Sequence, residues 1–245
     1  AQEQALFVSL SREALHGWGQ LYSLVSGKLK AEITLDGESR SMSIAELSGL
    51  RANADETKRR DAFHAGQDAW NSISDICAHT LTQITGARVT RNHKLGITPL
   101  DHTLYGNRLS KETLDAILIA SEDLQIPLQQ YLDRKAVLLG KPKLDWWDLG
   151  APIGGGNMAS LSWNDAQDLV VDAFGGLYPR LQSFAQQALS KSWVEAEART
   201  GKRPGGYCTR VPSVHESRIF MSFTDSLNSC MTLAHELVHA YHNEL

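Results

Sequence analysis

The segment LAHELVHAYHNEL, from Leu233 to Leu245, decides how this chain is interpreted. It holds two histidines four residues apart, His235 and His239, and Glu236 directly follows the first. In an α-helix, positions i and i+4 lie about 40° apart on one face and one turn apart in height. Both imidazoles can therefore reach one metal ion, as they do in HExxH zinc sites.

The position of Glu236 predicts a different role from that of the histidines. It lies about 100° around the helix from His235, so it is offset from the ligands and close to the open coordination position of the ion. A carboxylate there can take a proton from a metal-activated water as general base. The pattern therefore predicts hydrolysis of a peptide bond. The alternative is a core helix whose histidines are hydrogen-bonded to backbone or carboxylate groups.

A third histidine, His242, returns to nearly the same helix face as His235. It lies about 10 Å further along the axis, which is too far to share a tetrahedral ion easily. We expect it at the surface or hydrogen-bonded to a ligand.

The residues before this helix alternate in a way that is typical of a strand. In RIFMSF, residues 218–223, the apolar side chains of Ile219, Met221 and Phe223 share one face. Such a strand either holds an extended peptide substrate by main-chain hydrogen bonds or is an internal strand of a small sheet. Upstream, GKRPGGYC at 201–208 is interpreted as a turn-rich loop whose glycines could let it move over a cleft.

Composition excludes several classes of function. The chain has 245 residues, a net charge of −4 and a sequence pI near 6.1, with no basic cluster longer than TKRR at 57–60. We therefore expect no nucleic-acid partner. No apolar run approaches the roughly 18 residues that a membrane span needs, so no membrane partner is expected either. Three cysteines without CxxC spacing favour a reducing compartment.

The rest of the chain reads as mainly α-helical. One exception is 31–43, where alternating side chains flank Asp36-Gly37, a dipeptide that favours a type I′ hairpin turn. Ser43 with Glu46, and Asn53 with Glu56, have the spacing of a capping box. The second pair is predicted to open one long helix toward Gly86. Residues 87–107 lack apolar periodicity. Further helices are predicted to start at Ser110, Ser162 and Pro179.

Several segments together resemble a known family. GKRPGGYC, RIFMSF and TLAHELVHAYH are similar to the region around the metal helix of the oligoendopeptidase F type of zinc oligopeptidases, relatives of thimet oligopeptidase. Upstream segments that include SWNDAQDLVVDAFGGLYPRL are similar as well, so the resemblance spans nearly the whole chain.

The resemblance implies a fold, a cofactor and a substrate. The fold is a multi-helix oligopeptidase fold with a small β-hairpin and a short strand before the metal-binding helix. Residues 1–150 would form a helical region, and 151–245 the amino-terminal part of the catalytic region. His235 and His239 would bind one Zn²⁺, with Glu236 as general base. The expected protein is a cytoplasmic zinc metalloendopeptidase that cleaves short oligopeptides.

Two departures from the family pattern shape what we expect of this chain. Val238 stands where the family has Gly. The family's third zinc ligand is a glutamate on a later helix, beyond Leu245. We therefore expect an incomplete fragment, weakly active or inactive, that is completed by a second chain or by the missing carboxyl-terminal part. A third ligand borrowed from Glu216, Asp225 or Glu244 is an alternative within the chain.

A second class of function also stays open. The chain could be a degenerate relative of the peptidases, a non-catalytic helical binding protein.

Because the partners of the metal helix would be missing in a fragment, we also expect the apolar side chains of this helix to be exposed, namely Leu233, Leu237 and Tyr241.

Overall fold

A computed structural model describes residues 2–154, 160–199, 202 and 205–245 of the chain. It confirms the mainly α-helical fold class. The helices of this part of the chain are α1 (Gln2–Ser11), α2 (Trp18–Lys28), α3 (Ile44–Gly49), α4 (Glu56–Asn71), α5 (Ser74–Leu95), α6 (Pro99–Asn107), α7 (Lys111–Asp123), α8 (Gln125–Leu138), α9 (Trp163–Leu177), α10 (Pro179–Ser190) and α11 (Leu227–Glu244). A π-helical segment, Arg12–Gly17, joins α1 to α2.

The predicted hairpin is confirmed. Strands β1 (Lys30–Leu35) and β2 (Glu38–Ser43) pair antiparallel, with Leu35 opposite Glu38. Asp36 and Gly37 form the turn with φ of 52° and 85°, as a type I′ turn requires of both central residues. Ser43 then caps α3 through the predicted capping box with Glu46.

A second, three-stranded sheet lies beside the last helix. Its strands are β3 (Val194–Glu195), β4 (Gly206–Val211) and β5 (Glu216–Met221), in the order β3-β5-β4. Strand β5 pairs antiparallel with β4 and parallel with β3, so RIFMSF provides the internal strand. Of the two interpretations that the sequence left open, the structure supports the internal strand.

Two compact units can be distinguished in the chain. Residues 1–25 and 71–145 form the first, and residues 26–70 and 146–245 form the second. The predicted assignment of 1–150 and 151–245 to different functional regions stays a prediction.

The core of the second unit forms where α9, α10 and α11 pack with the sheet. Its completely buried members include Leu233 and Leu237 of α11 and Met221 of β5. Tyr241 is half-buried and packs its ring against Phe184 of α10, with 5.3 Å between the ring centroids. The expectation that Leu233, Leu237 and Tyr241 would be exposed is therefore wrong, because α9, α10 and the sheet supply the missing partners.

Another core feature of the second unit is a buried ion pair. Arg59 of α4 donates from Nη2 to Asp148 Oδ1 at 3.0 Å, and their side chains are 4% and 0% exposed. The remaining guanidinium nitrogens donate to backbone carbonyls of Asn53, Ala54 and Trp147. These contacts hold the start of α4 against the short 3-10 helix Trp146–Asp148.

Two sequence predictions about helices need correction. One long helix from Asn53 to Gly86 was expected, but the helix is broken after Asn71 and α5 continues past Gly86 to Leu95. Asn53 does not cap α4; its side chain accepts from Asp55 N, and Asp55 in turn accepts from Thr57 N. The aperiodic stretch 87–107 is largely helical, because α5 and α6 lie mostly at the surface and need no apolar stripe there.

The caps predicted at Ser110 and Ser162 are confirmed, since these side chains accept from Thr113 N and Asp165 N. Pro179 begins α10 as predicted. None of the helices in the described ranges combines the length and the hydropathy needed to cross a bilayer.

Candidate active site

The predicted metal-binding residues lie together on α11. The Nε2 atoms of His235 and His239 are 2.9 Å apart, and their rings cross at 85°. Both side chains are exposed on the same face of the helix. Two nitrogens that bind one zinc ion at about 2.0–2.1 Å must lie within roughly 4 Å of each other, so this pair fits a metal ion.

Glu236 has a different environment from the two histidines. It is only 6% exposed, and it lies against the start of β4. A Cβ atom placed on Gly206 would be 3.2 Å from Glu236 Oε1 and 3.1 Å from Thr232 Cγ2. Glycine at position 206 therefore lets the backbone of β4 approach the Glu236 carboxylate closely. Within the described ranges, this carboxylate has no hydrogen-bond partner, which leaves it available to a substrate or water.

No third ligand completes the pair of histidines in the described part of the chain. No further His, Cys, Asp or Glu there places a ligand atom within 4.8 Å of both ring nitrogens. Glu216, Asp225 and Glu244, the candidates for a third ligand from within the chain, therefore do not lie near the two histidines. Glu216 instead forms ion pairs with Arg218 and Lys191. His242 is exposed at the end of α11, as expected of a residue outside the metal pair.

Strand β4 was missed by the sequence analysis, which interpreted 201–208 as a mobile loop. Residues 205–208 contain the first three positions of the strand, whereas 201, 203 and 204 lie outside the described residues. The signal that could have revealed the strand is the run YCTRV after the two glycines, which is rich in β-formers.

Strand β4 forms an edge of its sheet. Within the described residues it pairs with β5 on one side and with no strand on the other. Ser222 N donates to Gly205 O at 3.1 Å. Hydrogen-bonded and non-hydrogen-bonded residue pairs alternate along an antiparallel ladder, so this bond fixes which residues of β4 bond to β5. With the register of this pair, the main-chain N–H and C=O groups of Gly206, Cys208 and Arg210 point away from β5.

A small polar network fixes α11 on this sheet. Asn243 Nδ2 donates to Ser217 Oγ at 3.2 Å and to Cys208 Sγ at 3.6 Å. Burial raises the pKa of the Cys208 thiol, and the nearby negative charge of Glu236 contributes to that rise. The thiol is therefore neutral at physiological pH and acts as a packing group and weak acceptor beside the carboxylate.

Val238, where the resemblance led us to expect a glycine, does not disturb this arrangement. Its side chain is 45% exposed on the face of α11 that also carries the histidines. Met231, 65% exposed, lies two turns earlier on the same side of the helix. The bulkier side chain therefore costs no packing within the described residues.

Solved structures with the same fold carry the names of peptidases. A protein designated oligoendopeptidase F, from Bacillus anthracis strain Ames, superposes with a TM-score of 0.79 at 20% identity, over 98% of this chain and 44% of that chain. PZ peptidase A, solved with an inhibitor, gives a TM-score of 0.79 at 20% identity over 92% of this chain and 40% of that one. The chain has the oligoendopeptidase fold.

A curated relative extends the likeness to sequence. The group B oligopeptidase PepB of Streptococcus agalactiae is 24% identical over 217 residues, which cover 84% of this chain and 34% of the relative. No family model matches the sequence. The resemblance to the oligoendopeptidases is confirmed, and this oligoendopeptidase-like chain spans about a third of the length of the curated relative.

Proposed function

We propose that α11 and β4 form the amino-terminal part of the active site of a zinc endopeptidase that cleaves short oligopeptides. The observation that carries the proposal is that the Nε2 atoms of His235 and His239 lie 2.9 Å apart beside Glu236, whose carboxylate has no hydrogen-bond partner among the described residues. The peptidase names of the relatives support the same class of reaction.

Zinc is the cofactor that this donor set fits. His235 and His239 would hold it through Nε2, and the third protein ligand would come from outside the described residues of this chain. When bound, zinc supplies a Lewis acid that polarises the scissile carbonyl and lowers the pKa of water to near 7. An imidazole binds a metal ion only when it is neutral and the binding nitrogen, here Nε2, carries no proton. Zinc affinity therefore falls as the pH is lowered.

Glu236 would move the proton. Its carboxylate accepts a proton from the attacking water and then donates it to the nitrogen of the leaving amine. Its position on the helix, one residue after His235, keeps it close to the ligands without making it one of them. Burial against Gly206 holds the carboxylate in one place before the substrate arrives, which favours catalysis by orientation.

Strand β4 would position the substrate. An extended peptide can add to its free edge through main-chain hydrogen bonds with Gly206 and Cys208. Recognition through main-chain groups demands no particular sequence, which suits a peptidase of short, varied peptides. The close approach of Gly206 to Glu236 would bring the bound peptide next to the general base.

The metal site is tested by zinc titration of the 245-residue chain and of three histidine variants. We expect one zinc equivalent in the unaltered chain and at least tenfold weaker binding in His235→Ala and His239→Ala. His242→Ala is the matched control, since it removes a histidine from the same helix, and it should bind zinc normally. Equal weakening in all three variants, or no weakening in any, would contradict the assignment.

Catalysis is tested with a quenched oligopeptide in the zinc-loaded chain. We expect slow or no cleavage by this chain alone, and any cleavage should be lost in Glu236→Gln while zinc stays bound. Cleavage that survives this substitution would show that Glu236 is not the base. Peptide binding without zinc would instead favour the non-catalytic binding protein.

The substrate edge is tested with peptides that are N-methylated at one residue at a time. Strand addition uses the N–H groups of alternate residues only, so methylation at every second position should weaken binding about fivefold, and methylation between them should not. Equal effects at neighbouring positions would overturn the proposed binding mode.

A further inference from the structure

The first unit contains a basic cleft of about 790 Å³ that the proposed peptidase site does not use. Its walls come from the π-helical segment and α2, from α5 and from α6. Two arginines, Arg88 and Arg91, and two histidines, His16 and His102, line it. None of the described residues that line the cleft is an Asp or a Glu, so the lining carries only positive formal charge.

Neither arginine has a counter-charge within the described part of the chain. No ion pair of Arg88 or Arg91 is found among the described residues. Arg91 Nε donates to Asn92 Oδ1 at 3.2 Å, and Asn92 is itself buried. This bond holds one side of the guanidinium in place and leaves the other side for a partner.

The other side of the Arg91 guanidinium also points to a ligand. Its Nη2 atom is buried and has no hydrogen-bond partner in the described part of the chain. A buried charged donor without a partner is costly, and such groups are normally satisfied by an acceptor or an ion. A guanidinium has a planar fork of donors that matches the two oxygens of a carboxylate or phosphate.

The cleft is also larger than a bare ion requires. Apolar side chains of Leu15, Ile84 and Val89 line it together with the basic groups. We propose that the cleft binds an organic oxyanion, a molecule with one carboxylate or phosphate group on an apolar body. The oxyanion pairs with Arg88 and Arg91, and the apolar body covers the aliphatic wall.

A titration with three simple probes tests this site. N-acetylleucine carries a carboxylate on an apolar body, N-acetylleucinamide is the same body without the charge, and inorganic phosphate is the oxyanion without the body. Binding is followed by the NMR signals of the arginine Nε–H groups in the labelled 245-residue chain. We expect N-acetylleucine to bind at least tenfold more tightly than the amide and to shift the Arg91 signal.

Three variants locate the binding. Arg91→Gln and Arg88→Gln should each weaken N-acetylleucine binding about tenfold. Arg134→Gln is the matched control, because it removes one positive charge from an exposed position on α8 of the same unit and should leave binding unchanged. Since Arg91 also binds Asn92, the exposed Arg88 keeps the test decisive if Arg91→Gln disturbs folding.

The outcomes separate the sources of the oxyanion. Phosphate binding that both cleft variants weaken would support the site with a phosphate as its head group, and selective binding of N-acetylleucine would support a carboxylate. Equal binding of acid and amide, binding that all three variants leave unchanged, or no binding at about 10 mM of any probe would overturn the proposal. None of these results depends on zinc or on peptide cleavage.

Discussion

The two compact units bury their apolar side chains to very different degrees. Among described side chains of residues 1–25 and 71–145, Ala136 is the sole buried hydrophobic residue. In the second unit, by contrast, α11 and β5 place Leu233, Leu237 and Met221 in a core with no solvent exposure. Because burial of apolar surface is the main source of stability, we expect the second unit to be much the more stable.

The helices of the first unit show why a sequence pattern is not enough. Apolar residues follow the helical period along α7, yet Leu118 is 53% exposed, and in α8 Leu128 is 57% exposed. Local propensity and caps such as Ser110 form these helices, but packing against neighbours supplies most helix stability. The lesson is that well-formed helices and a well-packed core are separate properties.

The largest expected effect concerns the buried ion pair of the second unit. Asp148→Asn should lower the free energy of unfolding by about 3–5 kcal/mol, because it leaves the Arg59 guanidinium buried without its counter-charge. Denaturant unfolding followed by circular dichroism measures this. Asp115→Asn, which breaks an exposed ion pair with Lys111 in the first unit, should cost less than about 0.5 kcal/mol. Similar losses in both variants would contradict the difference between the units.

Matched leucine truncations test the comparison directly. Leu237→Ala removes a completely buried side chain and should cost about 2–5 kcal/mol. Leu118→Ala removes an exposed one from α7 and should change stability by less than about 0.5 kcal/mol. A large loss in Leu118→Ala, measured by the same unfolding experiment, would mean that the first unit has a core of its own.

A smaller effect is expected at the capping box of α3. Ser43 donates to Glu46 from its hydroxyl and its backbone N–H, and these bonds lower the pKa of Glu46 from its ordinary value of 4.5. A lowered pKa stabilises the folded state above 4.5, and this contribution is lost as the pH falls through the folded-state pKa. Ser43→Ala should therefore cost about 1 kcal/mol at neutral pH and less in acid.

Unfolding measured at several pH values checks this prediction. Ser39→Ala, at an exposed position on β2, is the control and should have no pH-dependent effect. A cost for Ser43→Ala that grows as the pH falls below 4.5 would have the wrong sign and would refute the role of Glu46.

The smallest effect is expected at Val238. Val238→Gly introduces the glycine that the resemblance implies at this position and removes a half-exposed side chain from the middle of α11. We expect a loss of roughly 0.5 kcal/mol from helix propensity alone. Zinc affinity should be unchanged, since the backbone of α11 continues to place His235 and His239. A gain in zinc affinity would show that the valine hinders the metal site.

Much of the local structure could be predicted from short stretches of sequence. The hairpin turn at Asp36-Gly37 and the caps at Ser43, Ser110 and Ser162 depend on residues within four positions of each other. The helix break after Asn71 could not be predicted, because apolar residues continue at helical spacing through Ile73 and Ile76. Strand β4 was missed because Gly205 and Gly206 at its start are typical of a loop, and only its pairing with β5 makes it a strand.

The sequence by itself determined the fold class and the helix that carries His235, Glu236 and His239, because the i, i+4 relation is a local property of the helix. Only the tertiary structure decided which strand is the free edge and that Gly206 meets Glu236, because these contacts join residues 30 positions apart. It also decided that Leu233 and Leu237 are buried, since the partners that cover them come from distant helices and strands.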